Sequence, residues 1–215
     1  MNNPMIKTVG ILGAGKLGIV LAQLALQAGY NVLIAGSGDP SKIRLTASVL
    51  APGAEAVTKE EAAQKSDLVV AALPLSKYKS LPKESLAGKI LIDAMNFWWE
   101  VDGDRDALVP SGASSSEHLQ ALLKDTTVIK ALSHTGYHEL HDSPRRKGDP
   151  DRKAIAVAGD DSNAVKLVSD FIDTLGFDPL PIGSLAKGKL LEPGQPGFGT
   201  NLSKASLATR LSAAR

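Results

Sequence analysis

The chain has 215 residues, 43% of them hydrophobic and 22% charged, with a formal net charge of +1. That is the size and make-up of one globular domain with a small appendage, and it lacks the concentrated basic surface that nucleic acid or an anionic membrane would need. The absence of cysteine excludes disulfides, thiolate metal sites and a Cys nucleophile. Residues 1–8 contain no basic region followed by a long apolar stretch, and no later window approaches eighteen apolar residues, so the expectation is a soluble, cytoplasmic protein.

Short apolar runs alternate with helical patterns from the start, which is the signature of βαβ units and a parallel sheet. Residues 8–12 read as a buried strand. Leu17, Val20, Leu21, Leu24 and Ala28 then recur at helical spacing, and Ile19, Ala22 and Leu26 make most of the remaining perimeter apolar, so this helix should pack on more than one side. Gly29 ends it. Residues 31–35 form the second strand, 41–50 a helix, and Pro52-Gly53 a turn. Thr58 and Glu61 make a capping box over a short helix that ends near Ser66, before an unbroken strand run at 68–73 that Pro74 stops.

Strands are expected again at 90–93 and 127–131, with a helix between them capped by Ser114 and Glu117 and running to about Leu123. The stretch 142–151 is charged and rich in turn formers, an exposed loop. Residues 154–158 are the next strand, and Ala164, Val165, Leu167, Val168, Phe171, Ile172 and Leu175 mark an amphipathic helix between Asp161 and Gly176. Residues 179–182 read as an edge strand, 192–199 (EPGQPGFG) as an irregular loop and 203–211 as a terminal helix or a frayed tail.

The chemistry starts at Gly13-Ala14-Gly15-Lys16-Leu17-Gly18, which fits G-x-G-x-x-G between the first strand and the first helix. In that context Gly13 permits the tight turn, Gly15 lets backbone approach a pyrophosphate, Gly18 lets helix and strand pack closely, and the helix N-terminus supplies N–H groups to phosphate. The Walker spacing is absent, which argues against nucleotide hydrolysis. At the end of the second strand, where NAD enzymes carry an acid for the ribose 2′-OH, this chain has Ala35-Gly36-Ser37. Asp39 reads as the N-cap of the next helix rather than a ribose ligand. Ser37, with Lys42 and Arg44 near by, suits a 2′-phosphate, so NADP is favoured over NAD.

Ligands in doubly wound sheets lie beyond the carboxyl ends of the strands, so the nicotinamide should meet Leu73, Pro74, the 93–96 segment with Asn96, and the residues after Ala131. His134, His138 and His141 fail a metal test: Gly136 argues against a helix through all three, the H-E-x-x-H spacing is missing, and no carboxylate cluster completes a ligand set, so no metal is expected. His134 lies just past a strand end, a positioning residue before a catalytic one, while His138 and His141 read as loop histidines. Phe97-Trp98-Trp99 holds three of the nine Phe, Trp and Tyr residues. They cannot all point inward, and ring stacking, an interface and plain packing stay open.

The GAGKLG turn, ALP at 72–74, DAMN at 93–96, KALSHTGYHEL, AVAGDD at 156–161 and LGFDPLPIGSLAKGKLLEPG together resemble the deazaflavin-dependent NADP oxidoreductases, the NADPH-dependent coenzyme F420 reductases. The resemblance covers nearly the whole chain. It implies a Rossmann α/β fold, doubly wound with a mostly parallel sheet, over residues 1–183, a small C-terminal extension over 184–215, and a homodimer that passes hydride between NADP(H) and a small-molecule co-substrate, a deazaflavin or flavin. By position it puts the pyrophosphate on Gly13 to Gly18, the 2′-phosphate on Ser37, and the nicotinamide near Pro74 and His134. The chain departs from the family at Gly38 and Asp39, where other members carry arginines on the 2′-phosphate. Reduction of a small carbonyl or imine, or dinucleotide binding without turnover, are the competing readings. A carbonyl or imine substrate would demand a proton donor, whereas transfer between two rings asks the protein for distance, angle and water exclusion.

Overall fold

The computed structural model describes residues 6–213. The leader-peptide reading of the N-terminus falls mostly on residues 1–5, outside that range. Strand β1 (Thr8–Leu12) leads through the glycine turn to α1 (Lys16–Gln27), β2 (Asn31–Ala35) to α2 (Ser41–Leu50), and β3 (Glu55–Ala56) to α3 (Lys59–Lys65). β4 (Leu68–Ala71) runs into a 3-10 turn at Leu75–Ser80 and then α4 (Lys83–Leu86). β5 (Ile90–Asp93) is followed by α5 (Trp99–Asp102) and α6 (Ser115–Leu122), and β6 (Thr127–Lys130) by α7 (Tyr137–Asp142). β7 (Ala154–Ala158), α8 (Ser162–Thr174) and β8 (Asp178–Gly183) precede a second 3-10 stretch, Leu185–Leu191, and α9 (Lys204–Ser212).

The strands form one sheet in the order β3-β2-β1-β4-β5-β6-β7-β8. Every pairing is parallel except β6 with β7. The chain winds outward from β1 to β3 and returns to β4, so a switch point opens between β1 and β4. In such sheets that crevice is where ligands bind.

Side-chain alternation divides the core. Val9, Ile11, Val32, Ile34, Val70, Ile92 and Ile129 face the layer of α1 and α8. Leu12, Leu33, Val69, Leu91 and Val128 face α3, α6 and the first 3-10 turn. Because both faces are covered, β4 is apolar and buried along its whole length. The all-round apolar α1 packs on the sheet, α2 and α7. The C-terminal segment completes the second layer where the main run of helices ends: Leu191, Leu207 and Leu211 cover Ala154 and Ala156 of β7. β8 carries Pro179 and Pro181, tolerated because an edge strand has one ladder to satisfy.

Several expectations need correction. The strand runs at 68–73 and 127–131 end at Ala71 and Lys130, because the chain leaves the ladder to build the cavity wall. β3 escapes notice because two residues show no alternation, and α4, α5 and the first 3-10 turn are too short for a 3.6-residue period. His138 and His141 lie on α7 rather than in a loop. Gly136 is the N-cap from which this helix starts, so no helix runs through His134, as expected.

Candidate functional site

Beyond the carboxyl ends of β1, β4, β5 and β6 lies a cavity of about 650 Å³. Its walls come from Gly15 to Leu17, Ala72 to Pro74, Ala94 and Asn96, and Leu132 to Tyr137. A far wall is formed by Trp98, Val101, Phe198 and Gly199. Trp98 and Phe198 meet edge to face at 5.6 Å. The 192–199 loop thus reaches the strand ends, and an aromatic pair closes the side opposite the glycine turn.

The three glycines of the turn do different work. Gly13 has φ +128°, and a Cβ there would lie 2.2 Å from the Ala72 carbonyl oxygen, inside the neighbouring strand end. At Gly18 a Cβ would lie 1.8 Å from the Gly13 carbonyl oxygen. Gly15 has an ordinary extended backbone, and a Cβ on it would meet nothing within 4 Å. No packing demand inside the protein explains that glycine. Its open face lies on the cavity, at the start of a helix with no side-chain cap and no acid in its first turn. A bare helix start beside an open backbone fits a dinucleotide pyrophosphate. Lys16 extends from the same turn over the Tyr137 ring, 5.5 Å from its centroid, and makes no ion pair among the described residues.

At the end of β2, Ser37, Lys42 and Arg44 are exposed. The Asp39 carboxylate accepts from the Ser41 amide at 2.8 Å and so serves the start of α2. Bonds from Ser41, with Lys42 and Arg44 adding charge, hold its carboxyl below the usual range. Ser37 and Lys42 therefore lie at the outer end of the crevice rather than in the cavity. Gly15, Lys16, Leu17, Leu73, Pro74, Asn96 and His134 line the cavity, and Ala14 borders a neighbouring groove between α1, α2 and α7.

His134 is buried, and both of its ring nitrogens are engaged. The Ala156 amide donates to Nε2 at 3.0 Å, so the proton of the neutral ring sits on Nδ1, facing the Thr135 and Thr200 hydroxyls. Burial lowers its pKa to about 4, against a weaker opposing contribution from the bond at Thr200. Its carbonyl accepts from the Gly199 amide at 2.7 Å, and Thr135 Oγ1 donates to the Thr200 carbonyl. A neutral ring with no free nitrogen does not deliver protons. It ties the β6 exit to β7 and to the 197–200 segment.

Under the floor, Lys130 and Asp93 are fully buried and paired at 3.4 Å. Lys130 Nζ also donates to the Met95 carbonyl, while Asp93 accepts from Ser116 Oγ at 2.6 Å and the Met95 amide at 3.0 Å. These bonds pin the 94–96 segment. Asp102 does the same for the aromatic wall, accepting from the Ser76 and Trp98 amides. Glu192 accepts from the Ser115 amide and Arg105, fastening the C-terminal loop to α6. Leu132, with φ +61°, turns the chain so that Ser133 to Thr135 reach the wall; this left-handed residue is strained by about 1–2 kcal/mol. Ser133, Tyr137 and Val101 were not singled out from the sequence. Position after a strand end could have flagged the first two; Val101 lies on α5, too short for a periodic signal. Among the described residues, no three His, Asp or Glu side chains gather in a metal-holding group. No helix there is long and apolar enough to cross a membrane.

A doubly wound sheet with a bare, glycine-lined helix start at its switch point defines a dinucleotide-binding Rossmann protein. Residues 8–97 match the family described as NADP oxidoreductase, coenzyme F420-dependent. Over 186 residues it is 32% identical to the metalloreductase STEAP3 of Rattus norvegicus, covering 86% of this chain and 35% of that protein. The chain thus spans about a third of the length of this curated relative. Among solved structures, a hypothetical protein of Sinorhizobium meliloti superposes with a TM-score of 0.79 at 27% identity, over 93% of this chain and 96% of that one. A proposed F420-dependent NADP reductase of Arthrobacter sp. FB24 gives 0.71 at 22% identity, over 86% and 88% respectively, and shares the fold.

Proposed function

We propose that the protein transfers hydride between NADP(H) and a flat ring acceptor, coenzyme F420 or a flavin, stacked in the cavity. The observation that carries this reading is the wall made by Trp98 and Phe198 across an apolar cavity from the glycine turn. NADPH, when bound, supplies the hydride, two electrons and one proton; a second proton for the reduced acceptor comes from solvent. The chain's own part is to bind and orient. Gly13 to Gly18 hold the pyrophosphate, Ser37 and Lys42 the 2′-phosphate, and Pro74, Asn96 and the 132–135 turn set the nicotinamide against the aromatic wall. His134, neutral and fully engaged, supports the wall rather than the chemistry.

The test follows NADPH absorbance with deazaflavin, FMN or FAD as acceptor, and NADH in parallel. Oxidation with a ring acceptor is expected, and Trp98→Ala should raise the acceptor KM with little change in NADPH binding. Tight NADPH binding without oxidation by any ring acceptor overturns the proposal. Tyr137, in the cavity wall beside Lys16, favours a second reading, reduction of a small imine or carbonyl with the phenol as proton donor. Turnover of such a substrate that Tyr137→Phe abolishes would select it. The first reading extends to a homodimer, because Trp99 and Val101 leave an exposed apolar rim beside the cavity mouth. A monomer by light scattering removes that part.

A further inference from the structure

Five buried side-chain polar atoms among the described residues have no hydrogen-bond partner, and two of them, Asn96 Oδ1 and Ser133 Oγ, belong to residues of the cavity wall. Asn96 Nδ2 donates to the Ser133 carbonyl. A carbonyl only accepts, so this bond fixes the orientation of the amide and leaves Oδ1 as the free end. The Ser133 hydroxyl, on a residue 4% exposed, is likewise unpartnered. Leaving a buried acceptor unsatisfied costs about 1–3 kcal/mol. The surrounding polar groups avoid that cost, since His134, Thr135, Thr200, Asp93 and Lys130 all have partners.

We propose that Asn96 Oδ1 and Ser133 Oγ together bind an amide edge on a ligand, an N–H beside a C=O. Oδ1 accepts from the N–H, and the Ser133 hydroxyl donates to the carbonyl. A planar amide suits the place better than a sugar diol, because the neighbouring Ala94, Pro74 and Leu132 offer side chains with no polar atoms for further hydroxyls. The inference rests on reading the cavity as the meeting place of nicotinamide and acceptor ring. Two ligand parts there carry such an edge: the nicotinamide carboxamide and the imide of a flavin or deazaflavin pyrimidinedione.

Binding titrations test the assignment and separate the sources. One arm compares NADPH with its 3-acetylpyridine analogue, in which a methyl replaces the carboxamide NH₂; the other compares riboflavin with N3-methylriboflavin. The wild type should bind the parent compound of one pair about tenfold more tightly than its analogue. The arm that discriminates names the source. Asn96→Ala should erase the preference. Ser133→Ala should weaken the preferred parent about tenfold without lowering the thermal midpoint, because its hydroxyl makes no bond within the protein, a result a merely structural serine would not give. Equal affinities within both pairs, or unchanged binding in Ser133→Ala, overturn the proposal, and both measurements stand even if Asn96→Ala fails to fold. Discrimination without turnover of any ring acceptor keeps this site and refutes the proposed reaction; turnover without discrimination does the reverse.

Discussion

Helices α1 and α6 both start close to the cavity, and they begin in opposite ways. α6 opens under a complete capping box, Ser114 with Glu117, and a second carboxylate, Glu192, accepts from the Ser115 amide. α1 opens on Gly15 with no side-chain cap and no acid in its first turn. α3, α8 and α9 also carry side-chain caps, from Thr58, Asp161 and Ser203. α2, α4, α5 and α7 also lack a side-chain cap, but α4, α5 and α7 carry an acid in the first turn and Asp39 accepts from the Ser41 amide at α2. α1 is left with neither, and its N–H groups suit an anion from outside. The contrast extends to the surroundings. On the β5–β6 side nearly every buried polar group is spent inside the protein, whereas on the β1–β2 side Lys16, Lys42 and Arg44 make no ion pair among the described residues. On the proposed reading, the β1–β2 side holds the phosphates, and the β5–β6 side is braced behind the ring end of the ligand, where Asn96 Oδ1 and Ser133 Oγ stay unpartnered.

If that division is right, substitutions on the two sides should fail differently. The largest effect is expected at Lys130→Met, which strands the Asp93 carboxylate in the core and should cost about 3–5 kcal/mol in urea unfolding. A loss under about 1 kcal/mol would mean that Ser116 and the Met95 amide suffice. The glycine turn contains both behaviours. Gly18→Ala drives a Cβ into the Gly13 carbonyl and should destabilise the fold by about 1–3 kcal/mol. Gly15→Ala, facing open space, should leave the unliganded thermal midpoint unchanged or slightly higher while weakening NADPH about tenfold or more. Equal stability losses in the two variants would break the comparison.

His134 gives a smaller, pH-dependent signature. Its folded pKa lies near 4, below the unfolded value of 6.5, so the unfolded chain takes up the extra proton first as pH falls. Stability is therefore full above pH 6.5 and declines between 6.5 and 4, by up to about 1.4 kcal/mol per pH unit from this group. Urea midpoints at pH 7 and 5 should separate in the wild type, and His134→Gln should narrow the gap. The smallest expected effect is at the outer end of the crevice, where Ser37→Ala should weaken NADPH a few-fold, about 1 kcal/mol, and NADH less. Equal weakening would refute a 2′-phosphate contact.

Much of this was legible in the chain. The capping boxes at Thr58 and Ser114, the Asp161 cap and the strands at Thr8–Leu12, Asn31–Ala35, Ile90–Asp93 and Ala154–Ala158 follow from patterns that operate within a few residues. The glycine turn is likewise local, since its backbone shape and its position between strand and helix are both written in 13–18. Exposure of the aromatic run followed from steric crowding, and Trp98 and Trp99 are 49% and 71% exposed. The rest required the fold. Asp93 and Lys130 looked like ordinary strand residues until parallel pairing set them side by side. Nothing near Glu192 announces that it will pair with Arg105, 87 residues away, and nothing near Phe198 announces Trp98.

The sequence by itself determined the βαβ rhythm, the bare helix start and the glycines around it, because periodicity, capping and turn chemistry are short-range forces with residue-level signatures. Only the tertiary structure decided which strands adjoin, which loop closes the cavity, that His134 is neutral and occupied, and that Asn96 and Ser133 are left unpaired. Those outcomes depend on burial and on partners brought together across tens of residues, and a linear pattern carries no record of which polar groups find one another.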